Sequence, residues 1–266
     1  MCYHLKSSLK AQLKKAKAAN NTILEKEIEE YIKEKFPDYK FHQVSGFEHP
    51  ELLIYKSNDK LPSLAYWGLI PSWTNGEDQK NKLWNNTLNA RRESIFEKPS
   101  FKDSATEKRC LVYVDGFYEH HHLEGKKYHF FIQNKEEASL CLAGLWSEWI
   151  DSSTGELIPS FSIVTKKGEG LMSEIHNNPK MAEPRMPVIL SDNQIEGWLS
   201  EKDESRVQEI IHQSNQEILK AHTVATLSGK GSKGNTLAAS EELFYRDLGF
   251  KNGKFQGPSE QQLGLF

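Results

Sequence analysis

The chain is predicted to fold as an α+β protein. Short runs rich in β-branched and aromatic residues crowd its middle. Helical periodicity is confined to residues 7–35 and to brief segments after residue 170. Strands and helices do not alternate regularly, which disfavours a doubly wound parallel sheet. With no repeat and no linker, a single domain is expected.

Residues 7–35 read as helix because Leu9, Leu13, Ile23, Leu24, Ile28, Tyr31 and Ile32 recur at helical spacing among Lys and Glu. Asn20-Asn21-Thr22 splits it, with Thr22 as N-cap and Glu25 at capping-box distance. After Pro37, strands are expected at 52–55, 65–70, 111–114, 128–133, 140–145 and 161–165. Glu124-Gly125 marks a hairpin turn. Helices are expected at 171–175, 192–199 and 207–219, a flexible Gly/Lys/Ser loop at 228–235, and an extended tail from Asn252 onward. The loop lacks the Gly-x4-Gly-Lys-Ser/Thr spacing of a phosphate loop.

Composition narrows the class. At 266 residues and 37% hydrophobic, the chain is long enough to bury a core. No apolar run reaches the roughly 18 residues of a membrane span, and no signal peptide opens the sequence, so a cytosolic protein is expected. Three cysteines, an odd number, read as free thiols in such a compartment. No CxxC or HExxH spacing predicts a metal site, and no cofactor is expected. The net charge of −3 argues against non-specific coating of nucleic acid. The window 80–110 departs from it, with eight Lys and Arg against four Asp and Glu. That local excess leaves room for a basic groove.

The sharpest feature is Cys2, directly after Met1. With Met1 removed, its α-amine and thiol form a 1,2-aminothiol. The amine condenses with an aldehyde to an imine, and the thiol closes a thiazolidine. An α-amine titrates near about 7.7–8.0, so part of it is neutral at physiological pH.

Four further segments carry reactive types. Trp67-Gly68-Leu69-Ile70-Pro71-Ser72-Trp73 suits a rigid loop able to stack bases, with Trp67 expected in the core. Asn89-Ala90-Arg91-Arg92 offers an amide that can hold an amine and guanidinium groups that grip phosphate. An apolar strand from Arg109 runs through Asp115-Gly116-Phe117-Tyr118 and delivers Glu119, an acid or base if buried. Glu174-Ile175-His176, followed by Arg185-Met186-Pro187-Val188-Ile189-Leu190, supplies a proton-exchanging imidazole. The run His120-His121-His122 aligns at most two ligands on a strand face and is read as a solvent-exposed strand end.

These blocks, in this order, resemble the SOS-response-associated peptidase (SRAP) family of abasic-site processing proteins, over about residues 1–190 and more weakly to about 245. The resemblance implies one α+β domain over residues 1–250 around a β-barrel-like mixed sheet flanked by helices, followed by a tail over 251–266. It implies self-removal of Met1 and a thiazolidine crosslink between Cys2 and the aldehyde of an abasic site in single-stranded DNA, which shields the lesion. Crosslink reversal and an abasic-site lyase side activity go with it. By motif, Cys2 is the nucleophile, Asn89 orients its amine and the sugar, and Glu119 is the general acid/base. His176 protonates the sugar oxygen, and Arg91 binds phosphate, with Arg92, Trp73 and Arg185 as further groove residues.

Two departures stand out. Cys2-Tyr3-His4 replaces the usual Cys-Gly-Arg, and His120 takes the place of a usual Trp. Residues 7–36 look like an enlarged insertion, expected as a cover near the groove. The end of the chain, Gln262-Leu263-Gly264-Leu265-Phe266, resembles the peptide that binds the bacterial sliding clamp. Leu265 and Phe266 would fill an apolar pocket while Gln262 bonds at its rim. A monomer suits this task. Two other readings share the residues: an N-terminal-nucleophile cysteine peptidase or amidohydrolase acting on external substrates, and a non-catalytic single-strand binding module in which Cys2 is incidental.

Overall fold

The computed structural model describes residues 2–57, 59–214 and 218–256. Its strands in chain order are β1 (His4–Ser8), β2 (Lys40–Ser45), β3 (Glu51–Lys56), β4 (Ser63–Trp67), β5 (Asn89–Arg91), β6 (Arg109–Val114) and β7 (Gly116–Leu123). They continue with β8 (Lys126–Asn134), β9 (Leu140–Ile150), β10 (Leu157–Lys167), β11 (Arg185–Pro187), β12 (Ile189–Leu190) and β13 (Leu219–Val224).

Five strands close on themselves. β3 pairs with β4, β4 with β10, β10 with β9, β9 with β6, and β6 with β3. Only the β4–β10 contact in this ring is parallel. Both faces of the ring are covered, which is why β6 runs apolar from Cys110 to Val114; all six of its residues, Arg109 included, are buried. A second, antiparallel sheet runs β13-β8-β7-β1-β2. One apolar cluster joins Leu5, Phe117, Phe130 and Ile132 of this sheet to Ile54, Val112, Leu142 and Phe161 of the ring. The α+β class and barrel-like sheet expected from the sequence are therefore present.

Local details differ from expectation. Ser7 and Ser8 belong to β1, and the helices begin at Leu9. Asn21 rather than Thr22 caps the main helix, Thr22–Lys35, its Oδ1 accepting from Leu24 N at 2.9 Å. The expected helix over 207–219 is Glu204–His212, capped by Asp203; Leu219 instead opens β13, where alternate residues pack inward. The strand expected over 65–70 stops at Trp67, because Gly68 takes φ +120° and a Cβ there would meet Trp84 Cδ1 at 2.5 Å. Glu124 and Gly125, both with positive φ, form the β7–β8 turn as expected.

The insertion is not a cover near Cys2. Ala11, Ala16, Ile28 and Ile32 pack with Leu53, Tyr55, Leu111 and Tyr113 on the other face of the ring, while Cys2 lies in the first cluster. Tyr55 Oη donates to Gln12 O at 2.7 Å and Gln12 Nε2 to Tyr113 O at 3.0 Å, fixing that docking. The loop over 228–235 is tied at its end to β2, Asn235 Oδ1 accepting from His42 N at 2.6 Å. Residues 252–255, expected in the extended tail, belong instead to a hairpin. Phe250–Lys251 and Lys254–Phe255 form a small hairpin whose aromatic rings pack on Phe130.

Candidate active site

β1 delivers the N-terminal residues to the junction of ring and sheet. It pairs with β7 as far as His4 opposite Tyr118, and among the described residues no strand pairs with the β7 edge beyond that point on the β1 side. Glu119 is the first residue past this point. Its Oε1 accepts from the backbone N–H of His120 at 3.0 Å. Both Cys2 and Glu119 are buried, at 1% and 4% exposure.

Asn89 reaches Cys2 from the ring. It opens β5, held parallel to β10 by the Asn89–Ile163 register, and its Nδ2 donates to Cys2 O at 2.9 Å. Among the described residues its Oδ1 is buried without a partner, leaving one acceptor beside Cys2. His176 follows the short helix Leu171–Ile175, which packs on β7. Its Nδ1 stands 4.0 Å from Glu119 Oε2 and within reach of both the N–H (2.8 Å) and the carbonyl (2.9 Å) of Arg185. The ring can thus accept at Nδ1 when neutral and donate there when protonated.

The electrostatics set protonation states. Burial, then the Glu119 charge, pushes the Cys2 thiol far up, so it is a neutral thiol at physiological pH. Burial alone would raise Glu119. The N-terminal ammonium, the hydrogen bond and charge of His120, and the charge of His176 outweigh it and hold the carboxyl at about 2. Burial lowers His176, against the opposing pull of Glu119.

Two clefts meet at Tyr3, whose ring packs on Phe47 at 4.8 Å. One, of about 180 Å³, holds Glu119, His120 and His176. The other, of about 440 Å³, is lined by Asn85, Asn89, Arg91, Lys98 and Phe101. A third, of about 380 Å³, lies beside Trp73, with Lys102 and Lys108.

Cys2, Asn89, Glu119 and His176, chosen from the sequence, are thus brought into one constellation, and Arg91 is exposed beside it. Trp73 is 43% exposed, its Nε1 donating to Pro99 O at 3.2 Å, on the separate third cleft. Trp67 is fully buried, as expected. Arg92 is half-buried, and its carbonyl accepts from Gln208 Nε2.

Arg185 is not a groove residue. It is 1% exposed, and its guanidinium binds both oxygens of Glu93 at 2.9 Å, Glu183 at 2.9 Å and Thr165 O at 2.8 Å. The histidine run is not a solvent-exposed strand end either. His121 is buried, with its ring against Phe255, and His120 is embedded between His4 and His129. No group of three His, Cys, Asp or Glu suited to a metal occurs among the described residues. The sequence reading missed Tyr3 and Lys98 as cleft residues; adjacency to Cys2 and membership of the basic window were the available signals. Gln262, Leu263, Leu265 and Phe266 lie outside the described residues.

A buried cysteine at position 2, held through its carbonyl by an amide beside a buried Glu–His pair, makes a compact thiol and acid–base site on an α+β barrel. The chain belongs to the SOS response associated peptidase (SRAP) family, whose model matches residues 1–230. It is 34% identical over 174 residues to abasic site processing protein YoqW of Bacillus subtilis, covering 64% of this chain and 72% of that one. Abasic site processing protein HMCES of Gallus gallus is 36% identical over 153 residues, 50% of this chain and 43% of that longer one. A crystal structure of a protein from Bacteroides thetaiotaomicron superposes with a TM-score of 0.77 at 27% identity, covering 91% of this chain and 100% of the other.

Proposed function

We propose that this chain processes abasic sites in single-stranded DNA by forming a covalent thiazolidine at Cys2 once Met1 has been removed. The observation that carries the reading is the fixing of Cys2 by Asn89 beside Glu119 and His176, with Arg91 and Lys98 on the adjoining cleft. The names of the Bacillus and vertebrate relatives point to the same substrate.

The chemistry follows from the protonation states. Because the thiol is neutral and buried, the α-amine is the first nucleophile. It adds to the ring-opened aldehyde, and the resulting carbinolamine loses one water to give the imine. The thiol then adds across C=N, forming the C–S bond and returning a proton to nitrogen. Glu119 is matched to this sequence. While Met1 is present, its ammonium helps hold Glu119 ionised. Once Met1 is removed, the buried carboxyl faces the Cys2 amine and takes up and returns protons. His176 serves the sugar oxygen during ring opening and crosslink reversal. An imine that escapes closure is open to β-elimination, which is the lyase side activity. Before any of this, Glu119 activates water for hydrolysis of the Met1–Cys2 bond.

Arg91 and Lys98 bind phosphates flanking the lesion, and Trp73 stacks a base further along the strand. The terminal Gln262-Leu263-Gly264-Leu265-Phe266 recruits the chain to the bacterial sliding clamp. A peptide of the last ten residues should bind the clamp and lose binding when Leu265 and Phe266 become Ala; equal binding by both peptides would reject this.

Denaturing gels test the main reading. Protein mixed with single-stranded DNA carrying one abasic site should give a heat-stable shifted band, absent with undamaged DNA and with Cys2→Ala. Turnover of unrelated peptides without such a band would favour the peptidase reading.

A further inference from the structure

The β7 edge holds an arrangement that the residues above do not use. Among the described residues β1 pairs with β7 no further than His4–Tyr118, and Glu119 and His120 lie just beyond that pair. His120 Nδ1 stands 3.3 Å from Glu119 Oε1, and its backbone N–H donates to the same oxygen. The His120 side chain is a quarter exposed, against 5% for Glu119, and both line the smaller cleft. His176, the other ring at Glu119, has its near nitrogen facing the Arg185 backbone and is itself buried.

We propose that His120 is a positioning and proton-relay residue, carrying protons between the solvent of the cleft and the buried Glu119 carboxylate. This rests on the acid–base role of Glu119 given above. In the delivering direction a neutral ring protonated at Nδ1 takes a proton at Nε2 from hydronium in the cleft while its Nδ1–H bond breaks and that proton bonds to Glu119 Oε1. The returning direction is the reverse.

The surroundings fit one mobile charge. From β1, the His4 ring centre lies 6.5 Å from that of His120; from β8, the His129 ring lies 5.0 Å away, directly opposite in register. Burial first, and the charge of His120 second, lower both to about 4, so they stay neutral at physiological pH. Lys127 on β8, His122 on β7 itself and the N-terminal amine complete the cationic side, with Glu119 as the anion. A proton on His120 is therefore flanked by two neutral rings and drawn toward a carboxylate.

Single-turnover crosslinking by the full, Met1-less chain tests this over about pH 5 to 8. Wild type, His120→Phe, His120→Gln and Cys2→Ala are compared on single-stranded DNA with one abasic site. Both His120 variants should slow about tenfold or more near neutrality and lose the limb of the pH profile that reports a titrating ring, as expected on removal of a proton-transfer partner. Free imidazole in the buffer should restore part of the rate to His120→Gln. Variants that keep the wild-type rate and profile, while Cys2→Ala abolishes the adduct, overturn the relay and leave the crosslinking reading standing. A slow variant with unchanged pH dependence and no imidazole rescue also overturns it, since that is packing damage. Absence of any Cys2-dependent adduct in wild type overturns both.

Discussion

The side-chain amide of Asn89 donates to the backbone carbonyl of Cys2 at 2.9 Å, tying residues 87 positions apart. The bond sits where the parallel β5–β10 pair brings the ring against β1. It fixes Cys2 through the backbone carbonyl and leaves the thiol out of the bond. Asn89→Leu keeps the volume and removes the bond. It should slow adduct formation about tenfold or more through lost orientation. It should also lower stability by about 1–3 kcal/mol, because the buried Cys2 carbonyl loses its donor. Adduct kinetics and thermal melts read the two effects separately.

Glu119→Gln keeps the shape and deletes the charge. Intact mass should show Met1 retained, and adduct formation by a chain already lacking Met1 should slow by a factor on the order of 10²–10⁴, the range of a lost general acid/base. Normal Met1 removal in this variant would contradict the assignment.

Acid should destabilise the fold in two windows. His4 and His129 sit at about 4, below their ordinary 6.5, so between those values the unfolded chain binds more protons and stability falls as pH drops. Glu119 sits at about 2, below its ordinary 4.5, so its contribution is present above about 4.5 and is lost as pH falls toward about 2. Melting temperatures between about pH 7 and 4 should therefore decline, and His129→Phe should make that decline shallower. A flat profile in the wild type would refute the buried neutral rings.

Arg91 and Arg185 should behave oppositely. Arg91→Ala should weaken binding of single-stranded DNA and reduce the salt slope by about 1, with little change in melting. Arg185→Lys keeps the charge but loses the bidentate grip on Glu93, so it should melt earlier while its salt slope stays that of wild type. Fluorescence anisotropy across a salt series separates the two.

The contrast shows what the sequence makes legible. Cys2 stands out by its chemistry, while Asn89, Glu119 and His176 are picked out by the family resemblance that their blocks carry together in that order. The apolar run 110–114 marks a strand in the sequence, and the burial of all six residues of β6 shows it covered on both sides. Burial set by distant partners was not legible. Arg185 reads as a free cation until Glu93, 92 residues away, is placed against it. His120 reads as a strand end until His4 and His129 flank it. Ser7 and Ser8 joined the helix in the sequence reading because β1 is a strand only through its partners β2 and β7. The closing of the ring likewise depends on pairings that no local pattern states.

The most direct test is intact mass spectrometry of the adduct, formed without reductant on single-stranded DNA bearing one abasic site. The account predicts the mass of the chain beginning at Cys2 plus the DNA minus one water, stable to heat, and missing for Cys2→Ala. An adduct that retains Met1, that maps to a lysine, or that survives only after borohydride reduction would contradict it.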